Sequence, residues 1–209
     1  RQAPFQDVHR PRALPHATFH LEVVGTYNLS EAWLAECART PEGQPLARFV
    51  FINFSTLPDL TRAAASAARG NALRALRVPL QEDAAPSEPQ DPVALSSHMC
   101  EKMLDAAVSL PETSGRVGVV TLRPAWVQSH LDGSYDRHFG GAASEAESNM
   151  FSSTHVENLW AYVDARDLAS AVVLAAQGEV ASFATGKHEI MFLAAAECCL
   201  SGSGASSGL

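Results

Sequence analysis

Arg48-Phe49-Val50-Phe51-Ile52-Asn53-Phe54 is short, aromatic and almost continuously apolar. Such a run predicts a strand buried on both faces, as in a parallel sheet covered by helices above and below. The flanking segments agree. Upstream, Val23, Tyr27, Ser30, Leu34 and Cys37 recur at helical spacing from about Glu22, with Val24 and Trp33 beside them, until Thr40-Pro41-Glu42-Gly43 ends the pattern. Downstream, Asp91-Pro92 is a helix start, with Asp as N-cap and Pro at the first helical position, and the helix should run to about Ser109.

A second buried strand is expected at Val117–Leu122, closed by Arg123-Pro124. Ala161-Tyr162-Val163-Asp164 then leads into a helix from about Asp167 to Ala176, with Asp167 as its N-cap and Leu168, Ala171, Val172 and Ala175 as its apolar face. Glu189–Leu193 reads as a third strand. Helices alternating with apolar strands define the α/β class, with a doubly wound sheet. Residues 1–20, with Pro4, Pro11 and Pro15, read as loop, as does 82–89; 128–158 reads as a loop-dominated insertion, and 201–208 as a flexible low-complexity end.

Composition bounds the function. A chain of 209 residues supports one good core, or one domain with a small lobe. A net charge of −8 argues against nucleic acid, which needs a basic face. No apolar run approaches the ~20 residues of a membrane span, and the opening Arg1-Gln2-Ala3-Pro4 has no signal-peptide core. Cys37, Cys100, Cys198 and Cys199 form no Cys-x-x-Cys pair and are read as reduced thiols of a cytoplasmic protein. The scattered histidines offer no metal site.

Six segments, in order, resemble the extended short-chain dehydrogenase/reductases of the NAD-dependent epimerase/dehydratase type. They are Glu22 to Leu29, Arg48 to Phe54, Leu80 to Pro92, Leu122-Arg123-Pro124, Tyr162 to Ala169 and His188 to Ala194. The third leads into Asp91-Pro92-Val93-Ala94-Leu95-Ser96-Ser97, which resembles the family's active-site segment Asp-Pro-Tyr-Ala-Leu-Ser-Lys, with Glu101 in register behind it.

The resemblance implies a partial Rossmann-like doubly wound parallel sheet lacking its N-terminal strands, with a small loop-rich substrate lobe. Residues 1–124 would be the C-terminal half of the Rossmann-like domain and 125–160 the lobe. Residues 161–195 would be a returning strand-helix-strand, and 196–209 a tail. It also implies NAD or NADP as cofactor and a nucleotide-sugar-like substrate, with Ser97 and Pro124 at the cofactor and Trp126, His130 and Arg137, with Tyr135 and His138, at the sugar. Ser55 or Thr56 would stand for the family's substrate-binding hydroxyl, although the strict position falls on Asn53 or Phe54.

The departures are chemical. Val93 stands at the Tyr position and Ser97 at the Lys position, so neither the acid/base nor the cation that tunes it is present. His98 and Lys102 offer the same spacing in another register, about 500° further round the helix, roughly 140° net. Choosing them gives up the match at Asp91-Pro92, Ala94-Leu95-Ser96 and Glu101. A Gly-rich turn between a first strand and a helix, needed to cradle a pyrophosphate, is not found. Gly202, Gly204 and Gly208 lie in the tail. Two readings follow: a member of the family with impaired or lost catalysis, or a pseudoenzyme serving as a structural or protein-binding module. In the second, a bare sheet edge would be covered by a second copy or another chain.

Overall fold

The computed structural model describes residues 15–41, 48–54, 82, 92–110, 115–129, 131, 161–177 and 186–196. Helix α1 (Pro15–Phe19) passes through one π-helical turn (His20–Val24) into α2 (Gly25–Arg39). Strand β1 (Phe49–Ile52) follows, then helix α3 (Pro92–Ser109), β2 (Val119–Pro124), β3 (Trp126–Gln128), β4 (Tyr162–Asp164), helix α4 (Ala165–Gln177) and β5 (His188–Leu193).

The main sheet has the order β1-β2-β5, all parallel, with Phe49 opposite Val119 and Val119 opposite His188. Alternation along the strands sends side chains to two faces. On one face Phe49, Phe51, Val117 and Val119 pack with Trp33, Leu34 and Cys37 of α2 and Leu104 and Val108 of α3. On the other, Val50, Val120, Leu122, Met191 and Leu193 pack with Ala171, Val172 and Ala175 of α4. Helices therefore cover both faces of a parallel sheet, the arrangement the apolar strands require. A second, two-stranded parallel sheet pairs β3 with β4. It is stitched to the main sheet where Ala125 N–H donates to Leu193 O (2.7 Å) and Ala195 N–H donates to Tyr162 O (2.6 Å).

Several expectations change. Residues 15–20, expected as loop, are helical; Pro15 is tolerated because a first-turn N–H has no intrahelical partner. Tyr27, expected on the buried stripe of α2, is exposed, and Thr26 takes the inward place between Val23 and Ser30. Strand β1 was expected to be buried on both faces but is half-buried throughout, because β2 is its only partner among the described strands. The strand expected at Val117–Leu122 runs from Val119 to Pro124 and is buried at all six positions.

The N-cap of α4 is Asp164, not Asp167. Its Oδ1 accepts the backbone N–H of Arg166 at 2.8 Å, and Asp167 sits inside the first turn. The helix expected from Asp91 is observed as Pro92–Ser109.

Candidate functional site

Open parallel sheets place ligands beyond the carboxyl ends of their strands. Asn53 follows β1 there, Arg123 and Pro124 end β2, and Phe192 and Leu193 end β5. Parity along β2 points Val119, Thr121 and Arg123 toward α3. The helix answers with Glu101 and Asp105, one turn apart. An apolar strand thus carries a polar ladder on one face, matched by acidic residues on the helix above it.

At the top of the ladder Arg123 and Glu101 form a forked ion pair. Nε donates to Oε1 at 2.9 Å and Nη2 to Oε2 at 2.7 Å, with both side chains buried. Asn53 Nδ2 donates to the same Oε1 at 2.8 Å. Arg123 Nη1 donates to the backbone oxygen of Glu82 at 2.9 Å, and the guanidinium lies 5.6 Å from the centre of the Phe192 ring. Three strands, one helix and the segment before that helix are thereby tied at one point.

One turn down α3, Asp105 Oδ1 meets His188 Nδ1 at 2.6 Å, and His188 Nε2 meets Thr121 Oγ1 at 2.7 Å. Lys102 Nζ reaches the other carboxylate oxygen of Asp105 at 3.0 Å. Burial pushes the Asp105 carboxyl up. The hydrogen bonds and charges of Lys102 and His188 outweigh it, so the group sits below the usual carboxylate value. The order hydroxyl, imidazole, carboxylate is that of a nucleophilic triad. Thr121, however, is 0% exposed in the middle of the central strand, so its hydroxyl is closed to solvent.

The positions named from sequence fall as follows. Val93, Ser97 and Glu101 succeed one another at four-residue steps on α3, with Val93 half-buried and Ser97 buried. His98 is half-buried, and Lys102 is exposed with its ammonium on Asp105. Pro124 is buried at the end of β2, and Trp126 is half-buried in β3. Asn53 is buried in the ion-pair cluster while Phe54 beside it is exposed. Ser55, Thr56, His130, Tyr135, Arg137 and His138 lie outside the described residues.

Asp105, Thr121 and His188 were not singled out from sequence. Asp105 and Thr121 left a signal, an acidic pair at i, i+4 on one helix face and a hydroxyl and a guanidinium at alternate positions of an apolar strand, whereas no local pattern marks His188.

Cys37 and Cys100 are free and buried, and burial raises both thiols, opposed at Cys37 by Arg116 and at Cys100 by a hydrogen bond with Thr26. Cys198 and Cys199 lie outside the described residues. Among the described residues no group of three His, Cys, Asp or Glu could hold a metal ion. No helix there is long and apolar enough to cross a membrane.

Fold and site together define a mixed α/β protein. It has parallel sheets, helices on both faces of the larger one, and a buried ion-pair lock at the carboxyl end. Comparison of the chain with family models, with curated proteins and with solved structures finds no match.

Proposed function

We propose that this chain is a catalytically silent relative of the NAD(P)-dependent, sugar-nucleotide-modifying epimerases and dehydratases, kept as a binding or structural module. Its three parallel strands and two flanking helix layers are read as part of a Rossmann-like doubly wound sheet. One observation carries the reading: the line Val93–Ser97–Glu101 on α3, half-buried at Val93 and buried at the other two, retains the framework residue Glu101 but presents a valine and a serine before it. A valine moves no proton, and a serine hydroxyl brings no charge to lower a neighbour's pKa or to hold a ribose.

The other cations near the helix do not fill the gap. The Arg123 guanidinium is turned to Glu101 and to the Glu82 carbonyl, and Lys102 is turned to Asp105 on the exposed side. The described residues therefore do not fit a nicotinamide cofactor at this helix, and no hydride-transfer step is assigned to them. A reducing, cytoplasmic setting, in which thiols such as Cys37 and Cys100 stay free, is part of the proposal.

The test is turnover. The chain is incubated with NAD⁺ or NADP⁺ and a panel of nucleotide sugars, and followed for reduced cofactor and for epimerised or dehydrated sugar. The expected result is neither product. Stoichiometric or faster turnover that survives Ser97→Ala would overturn the reading and move the chemistry to His98 and Lys102.

A further inference from the structure

We propose that Asp105, His188 and Thr121 form an acid-sensitive clasp that holds helix α3 to strands β5 and β2. The three residues come from three elements separated by 83 and 67 positions in sequence. The imidazole bridges Asp105 and Thr121, with both ring nitrogens engaged at 2.6 and 2.7 Å and its side chain 2% exposed. Asp105 is the solvent end of this chain, with its side chain 40% exposed. A proton arriving from water meets Asp105 first.

The proton positions can be followed atom by atom. With a neutral imidazole, Nδ1–H donates to Asp105 Oδ1 and the Thr121 hydroxyl donates to Nε2. With an imidazolium, both N–H groups donate, and Thr121 Oγ1 accepts while its own proton turns elsewhere. The carboxylate serves both forms, so protonation of the ring keeps the clasp closed. Protonation of Asp105 does not. It leaves Nδ1–H facing a neutral acid, and it removes the anion that lies between the ring and Lys102.

Among the described residues, the charged groups near the ring come from three elements. From α3 they are Asp105 and, behind it, Lys102; from β2 the nearest is Arg123, two residues beyond Thr121 and paired with Glu101. On β5 itself Lys187 and Glu189 flank His188 in sequence, with Lys187 exposed and Glu189 half-buried.

The sign follows from Asp105, whose carboxyl sits below its usual value in the folded chain. A depressed carboxyl contributes stability that is present above the ordinary carboxylate range and is lost as pH falls through the folded value. The clasp is therefore closed at neutral pH and opens in acid, freeing the C-terminal half of α3 from β5.

The experiment is thermal melting of the 209-residue chain from neutral pH down through the carboxylate range, for wild type, Asp105→Asn and His188→Gln. Wild type should lose Tm more steeply than either variant. At neutral pH each variant should lie roughly 2–4 °C or more below it. Parallel Tm profiles for wild type and Asp105→Asn would overturn the clasp. Should the variants fail to fold, the wild type decides by nuclear magnetic resonance. The His188 Nδ1–H signal, protected at neutral pH, should vanish in acid together with faster exchange of the β5 amides. A signal that persists unchanged through the carboxylate range would overturn the proposal.

Discussion

Glu101 and Arg123 meet through two charge-assisted hydrogen bonds, with side chains 5% and 4% exposed. At that burial the attraction is set against the removal of two ions from water, so the pair locks geometry more than it adds net stability. The consequence is asymmetric. Glu101→Leu alone leaves a guanidinium buried without its anion and should cost about 3–5 kcal/mol in denaturant unfolding. The double variant Glu101→Leu with Arg123→Met should recover most of that loss in the same measurement. Equal losses in the single and double variants would show that the pair adds net stability.

The sequence exposed part of this cluster. Asp91-Pro92 and Glu101 set the register of α3, and Val93 and Ser97 sit where that register puts them. Asn53 was legible only as the residue at the end of a strand, because its partner lies 48 positions away. The same holds for His188, whose partners on α3 and β2 no local pattern points to.

Among the elements, two turns show what local chemistry enforces. Gly186 and Gly115 have φ of 78° and 77°, and Gly186 N–H donates to Val117 O at 2.6 Å where the approaches to β5 and β2 meet. A methyl group on Gly186 would come within 3.0 Å of the Gly115 backbone. Gly186→Ala combines left-handed strain with that collision and should destabilise by about 1–3 kcal/mol, read from the urea midpoint. Gly115→Ala, with open space around it, should lose only the conformational part.

At the start of α4, Asp164 caps the helix and also holds the Arg166 guanidinium. Asp164→Ala should cost about 0.5–2 kcal/mol, nearly all of it the cap, since the Arg166 pair is exposed. Asp167→Ala should cost less, which separates the observed cap from the one expected by sequence pattern.

Element type was readable because apolar pattern carries it: a 3.6-residue stripe for α3 and α4, an unbroken apolar run for β1, and mostly apolar runs for β2 and β5. Ends were less readable. Strand β2 continues to Arg123 and Pro124 because β5 supplies partners there, and that pairing spans residues 124 and 193. Helix α1 escaped because three prolines within fifteen residues read as loop, although a proline suits a first helical turn.

For the molecule as a whole, a parallel sheet with helices on both faces was implied by alternation, whereas the strand order β1-β2-β5 was not. Helix, strand, helix, strand, helix, strand with apolar strands leaves few arrangements besides a parallel sheet covered on both faces. The small β3–β4 sheet was not implied, because three-residue strands carry no readable period. Function was legible only as a family resemblance with two changed residues. The described structure adds where those residues sit: on the face of α3 that leads to the Glu101–Arg123 lock, where the described cations Arg123 and Lys102 are engaged by carboxylates. The central proposal is that this face of α3 serves no nicotinamide cofactor. Calorimetric titration of the 209-residue chain with NAD⁺ and NADP⁺ tests it most directly. The account predicts no saturable heat up to millimolar cofactor, and a micromolar Kd for either would contradict it.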